Sequence, residues 1–172
     1  MSQSVETLVR MTGVEKYFPG VHALNQAQFE LRAGEVHALV GENGAGKSTL
    51  MKVLTGIYQK DGGQIEIMGM PVEIADARQA QDLGISIIHQ ELNLMKDLTV
   101  AENIYIGREP LKGVLLDKRR QNRQTAELLR SLNITIPPDT LIKNLTVAKQ
   151  QMVEIAKALS YDGTRILIMD EP

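Results

Sequence analysis

A chain of 172 residues is long enough for one sizeable domain, or for one domain carrying a small insertion. Its 43% hydrophobic and 23% charged residues are ordinary for a globular protein, and a net charge of −2 gives no global attraction to nucleic acid or to an anionic membrane. The absence of cysteine excludes disulfides, thiolate nucleophiles and Cys-ligated zinc, and fits a reducing compartment. No apolar run reaches the roughly 18 residues of a membrane span, and the opening MSQSVETLVR lacks the apolar stretch of a signal peptide. The chain therefore reads as soluble by itself, with docking onto a membrane protein left open.

Taken in order, residues 7–14 and 24–31 alternate apolar and polar positions and are predicted as strands, with a turn at Ala33-Gly34. Tyr17 and Phe18 stand between them in a loop-like stretch of a chain with few aromatic residues. EVHALVG, residues 35–41, has the pattern of a short buried strand ending in glycine. After it, KSTLMKVLTGI spaces Leu50, Val53, Leu54 and Ile57 as the apolar side of an amphipathic helix. Residues 61–74 predict a hairpin with turns at Asp61-Gly62-Gly63 and Gly69, residues 76–83 a short helix, and residues 84–90 another buried strand.

The character then changes. Thr99 and Glu102 have the spacing of a capping box that opens a helix. Residues 117–132 predict a polar helix with one apolar edge through Ala126, Leu129 and Leu132, and Pro137-Pro138 interrupts the chain before a helix over 147–159. RILIMDEP, residues 165–172, is a strand running into two carboxylates. Between Arg108 and Arg130 lie seven Lys or Arg and three Asp or Glu. With no interleaved aromatic to stack bases, this stretch reads as a solvated helix face rather than a nucleic-acid surface. Helices inserted between βα elements predict an α/β core with a helical subdomain and an antiparallel N-terminal layer. The expected division is a β layer and core over about 1–92, the helical part over about 93–160, and the terminal strand over about 161–172.

GENGAGKST, residues 41–49, carries Gly41, Gly46, Lys47 and Ser48 in the pattern G-x-x-x-x-G-K-[ST], between a predicted strand and a predicted helix. Glycines allow the turn in which successive N–H groups of Glu42, Asn43, Gly44, Ala45 and Gly46 converge on phosphate oxygens. The helix beginning near Lys47 adds its positive end, with Ser48 and Thr49 in its first turn. Lys47 can reach the β- and γ-phosphates, and the Ser48 hydroxyl can ligate Mg²⁺. These residues predict a nucleotide site on a P-loop NTPase core. Asp170, at the carboxyl end of an apolar strand, suits Mg²⁺ coordination, and Glu171 is placed to orient or deprotonate an attacking water. No N-K-x-D segment is present to read guanine, which counts against a GTPase.

With these residues in view, the chain resembles the nucleotide-binding subunits of ABC transporters, most of all the N-terminal half of the ribose-type monosaccharide importers. GENGAGKSTLMKVLTGIY, IIHQELNL, LTVAENIYIGRE and QQMVEIAKAL carry the resemblance, which covers essentially the whole chain. It implies that Phe18 stacks on adenine, with Tyr17 as the alternative. It also implies that Gln90 senses the Mg²⁺ at the γ-phosphate and links to the membrane partner, and that Asp170 and Glu171 are the Walker B carboxylates. The implied partners are a second nucleotide-binding half, permease subunits and, indirectly, a periplasmic sugar-binding protein. No nucleic acid is expected, and the implied location is the cytoplasmic face of the cell membrane. A soluble ABC-type ATPase acting on ribosomes or DNA is the alternative reading.

Two departures accompany the resemblance. The family's L-S-G-G-Q signature falls on Leu145, Thr146, Val147, Ala148 and Lys149, which keep the hydroxyl but neither glycine nor the glutamine. None of His22, His37 and His89 follows the Walker B strand, where the family's switch histidine would stand. The chain is therefore expected to be C-terminally incomplete, a piece of a longer protein.

Overall fold

The computed structural model describes residues 6–88 and 92–170. They fall into two compact units, Met1–Ile85 and Ser86–Pro172. Of the site residues expected from sequence, Gln90 and Glu171 lie outside the described residues.

The first unit is built on a long hairpin. β1 (Thr7–Phe18) and β2 (Val21–Arg32) run antiparallel from Thr7 opposite Arg32 to Phe18 opposite Val21. Both strands exceed their predicted lengths for a physical reason. The register shifts between Met11 and Val14, where Gly13 takes φ of 60°, and again between Val14 and Lys16, opposite Gln26 at φ 49°. Such a bulge breaks the two-residue alternation without ending the ladder. The chain then passes through residues 33–46 into α1 (Lys47–Leu54), which buries Leu50, Val53 and Leu54. The helix stops at Leu54, so Ile57 falls outside it and is exposed.

β3 (Gly62–Ile67) pairs with the other edge of β1, and β4 (Met70–Val72) closes the order β2-β1-β3-β4. Val9 faces Ile67 and Met11 faces Ile65 across the ladder. All four side chains are buried, and such cross-strand apolar pairs are what hold a sheet face together. Gly63 is irreplaceable here: at φ 81°, an added Cβ would sit 2.3 Å from the Gly13 carbonyl oxygen. A short helix, α2 (Ala77–Asp82), follows, its first turn capped by Asp76, whose carboxylate accepts from Gln79 N at 2.8 Å.

One expectation fails in this unit. Residues 35–42 form no strand among the described residues, and Val36 is fully exposed and Val40 nearly so. An apolar run becomes a strand only where neighbouring backbone completes its ladder, and none does so here.

In the second unit β5 (Ile85–Ile88) is followed by α3 (Val100–Tyr105), whose start is the predicted capping box. Thr99 Oγ1 accepts from Glu102 N at 3.2 Å, and Glu102 Oε2 accepts from Thr99 N at 2.9 Å. That backbone donor, ahead of the Thr99 hydroxyl and Lys118, holds the Glu102 carboxyl below its usual range. Two strands absent from the sequence reading come next, β6 (Leu111–Lys112) and β7 (Leu115–Leu116), forming a small hairpin. Then come α4 (Lys118–Ser131), α5 (Val147–Leu159) and β8 (Ile166–Met169), the last paired with β5.

Val100, Ile104, Leu129, Ile136, Ile142, Val153 and Ala156 pack into one core between the three helices. The buried Asn103 is fully served within it: its Oδ1 accepts from Met95 N at 2.7 Å, and its Nδ2 donates to the Met95 and Thr99 carbonyls. This ties the approach to α3 to the helix itself. No helix among the described residues is long and apolar enough to cross a membrane.

Candidate nucleotide-phosphate site

Residues 41–49 turn through two left-handed glycines. Gly44 and Gly46 both have φ of 85°. The two are needed for different reasons. Around Gly44 an added Cβ would meet nothing within 4 Å, so only the backbone conformation demands glycine. At Gly46 a Cβ would also lie 2.7 Å from the Ala23 carbonyl oxygen and 3.0 Å from Leu24 Cδ2. The loop is thus seated directly on β2.

Gly46 is the N-cap residue of α1, and it offers no side chain to the first-turn amides. The first turn contains no acidic residue either. The helix start therefore presents N–H groups and positive dipole to whatever approaches the loop. Lys47 arches back over the turn, its Nζ donating to the Gly41 and Glu42 carbonyls at 2.7 and 2.8 Å. Glu42, Asn43, Gly44, Ala45 and Ser48 are exposed, and Thr49 is half-buried behind them. The amides of the helix start and the Lys47 ammonium suit an oxyanion.

The aromatic residues stand on the same hairpin that supports the loop. Leu24, beside Gly46, is paired with Lys16 on β1, and Tyr17 pairs with His22 one step nearer the hairpin end. Tyr17 is 53% exposed and stacks on His22, ring centroids 4.2 Å apart. Phe18 is half-buried, edge-on to Tyr58 at 5.1 Å, with Lys16 Nζ 5.6 Å from its ring. Asp61 pins this end of the strand. Its carboxylate accepts from Tyr17 N at 2.6 Å and from Lys16 Nζ at 3.1 Å. Those bonds, the Tyr17 amide first, hold the Asp61 carboxyl below its ordinary range. Sequence reading missed Asp61, His22 and Tyr58 as supports, because their partners are set by strand register and not by local spacing.

In the second unit Asp170 directly follows β8, and its N–H donates to the Ile88 carbonyl at 3.1 Å, continuing the β5–β8 pairing. Thr146 is the N-cap residue of α5 but makes no side-chain cap bond, and Val147 beside it is exposed. The signature segment thus keeps an uncapped helix start with a free hydroxyl. Among the described residues no group of three or more His, Cys, Asp or Glu side chains is assembled to hold a metal.

A glycine-turned loop with an uncapped helix behind it and a lysine across it has the form of the loop in P-loop proteins. Residues 24–172 match the family described as ABC transporter, and the chain belongs to that family. It is 63% identical over 167 residues to an ATP-binding protein of Burkholderia ambifaria whose name assigns it to ribose, galactose or methyl galactoside import; the match covers 96% of this chain and 32% of that protein. A similarly named protein of Albidiferax ferrireducens is 58% identical over 96% of this chain and 33% of its own length. The chain spans about a third of the length of these curated relatives.

Among solved structures, a nucleotide-free ATP-binding cassette from an ABC transporter superposes with a TM-score of 0.81 at 26% identity, covering 95% of this chain and 68% of that one. The fold is shared as well with cbiO1 of Clostridium perfringens, at a TM-score of 0.79 and 24% identity over 97% of this chain and 66% of that one. The expected fold class, an α/β nucleotide-binding core with an antiparallel layer, is the one found.

Proposed function

We propose that this chain is the nucleotide-binding part of an ATPase subunit that powers import of a monosaccharide through an ABC transporter. The observation that carries it is the seating of the phosphate loop, through Gly46, on the hairpin that bears Tyr17 and Phe18. One strand pair thereby supports both a phosphate cradle and a stacking platform. The sugar-import names of the relatives supply the cargo class. ATP is the nucleotide, with its phosphates over residues 41–49 and Lys47 as the cationic ligand.

Mg²⁺ would be held by the Ser48 hydroxyl and the phosphates, with Asp170 and Gln90 as further ligands. That donor set matches an ion that keeps few protein ligands and relies on substrate phosphates. Mg²⁺ supplies neutralisation of charge on the phosphates; the protein's own part is to orient the nucleotide and the attacking water. Glu171 is the proposed base, and Gln90 the group that reports the nucleotide state to permease subunits on the cytoplasmic face. The uncapped start of α5 at Thr146 would meet the γ-phosphate bound by a second nucleotide-binding half.

The test is hydrolysis by the full-length parent reconstituted with its permease. Phosphate release should rise when a monosaccharide-loaded receptor is added, and ribosomes or duplex DNA should leave it unchanged. Stimulation by either of those instead would assign the parent to the soluble branch of the family.

The base platform has its own expected result. Phe18→Ala should weaken ATP, ADP and GTP to similar degrees, by about 1–3 kcal/mol, because stacking reads a ring face and not base edges. Fluorescent-nucleotide titration checks this. A loss confined to Tyr17→Ala would move the platform one residue, to the more exposed ring.

A further inference from the structure

The β6–β7 hairpin is apolar and turned to solvent. Leu111 is 55% exposed, Val114 93%, Leu115 72% and Leu116 56%. Its turn is made by Gly113, at φ 65°, and Val114. None of these side chains joins the core between the helices. Single exposed aliphatic residues are ordinary, but a cluster on one projecting turn marks an interaction surface.

The segment directly after the hairpin is basic. Asp117 caps α4, its Oδ1 accepting from Arg120 N at 2.9 Å. The first turn then runs Lys118, Arg119, Arg120, with no acidic residue in it. Cations are disfavoured at a helix N-terminus, so local stability does not account for this choice. Arg119, Arg120 and Arg123 have no ion pair among the described residues. Lys118 reaches Glu102 at 3.3 Å yet stays 70% exposed, and Lys112 sits within the hairpin itself.

We propose that this hairpin and the first two turns of α4 form a peripheral contact with an anionic lipid bilayer. Val114 and Leu115 enter the interface, while Lys112, Arg119 and Arg123 face lipid phosphates. Each half of the surface serves such a contact: buried apolar area adds to attraction by the headgroup charge. The other occupants fit less well. Neither the hairpin nor α4 carries an aromatic residue to stack nucleic-acid bases. In a symmetric contact between two copies, the two basic segments would face one another. The proposal uses no residue of the phosphate loop and stands apart from the transport reading.

The chain is sedimented with vesicles of phosphatidylcholine, with and without phosphatidylglycerol, at low and high salt. It should bind the anionic vesicles only, and less at high salt. Arg119→Glu with Arg123→Glu should weaken that binding by at least about 25-fold, from roughly fivefold for each cation lost. Leu115→Ser should weaken it by about tenfold. Circular dichroism and the thermal midpoint should not move, since all three side chains are exposed. Equal binding to both vesicle types, or binding untouched by Leu115→Ser, overturns the proposal. So does pelleting without lipid that Leu115→Ser abolishes, which would assign the surface to a second copy. Duplex nucleic acid bound through the same arginines, with no vesicle binding, overturns it equally.

Discussion

Lys47→Ala is expected to remove measurable binding of ATP with Mg²⁺, read by calorimetry. The lysine Nζ lies on two carbonyls of its own loop, Gly41 and Glu42, at 2.7 and 2.8 Å. Phosphate oxygens are stronger acceptors for a cation than exposed carbonyls, so a nucleotide would take over those donors. A hydrogen bond to a charged group contributes about 1.5–3 kcal/mol, which is roughly one to two decades of affinity per contact. Two such contacts place the variant well outside the range of a normal titration.

The loss should not come from unfolding. The carbonyls released by the substitution lie in an exposed loop, where water can replace the lysine. The thermal midpoint is therefore expected to change little, and measuring it separates a binding defect from a folding one. Near-unchanged affinity in a folded variant would remove the phosphate-loop assignment altogether.

What the sequence revealed of this fold tracks how local each signal is. The capping box at Thr99 and Glu102 formed as read, because its four groups lie within one helical turn. The helix over 147–159 has the predicted bounds. The turn over 41–49 was legible for the same reason: the glycines at 44 and 46 answer to backbone conformation, and that requirement is written in the residues themselves. Signals that depend on distant partners fared worse. EVHALVG has a strand's composition, but composition cannot say whether a ladder partner exists, and residues 35–42 have none among the described residues. The β6–β7 hairpin was missed because two-residue strands are too short to show alternation, leaving Gly113 as the sole local clue. The extension of β1 to Phe18, which brings the aromatic residues onto the supporting hairpin, was hidden by the register shifts at Gly13 and Gln26.

Glu171→Gln, made in the full-length parent, is expected to leave ATP binding intact while slowing hydrolysis by about 10²–10⁴-fold, the range for a removed general base. The amide keeps the size of the carboxylate and can still hydrogen-bond a water, but it cannot accept that water's proton. Asp170, the proposed metal ligand, stays in place, with its N–H on the Ile88 carbonyl continuing the β5–β8 pairing. Binding and chemistry should therefore separate, with affinity held and turnover lost. That split distinguishes a base from a residue that only shapes the strand end, whose loss would lower both. The measurement is single-turnover hydrolysis beside a nucleotide titration, with the equivalent substitution in the proposed second half as control. If turnover falls only with the control substitution, the hydrolytic site belongs to the second half, and this chain's site holds nucleotide without cleaving it. If both substitutions are needed to stop turnover, the two sites fire independently, and each half supplies its own base.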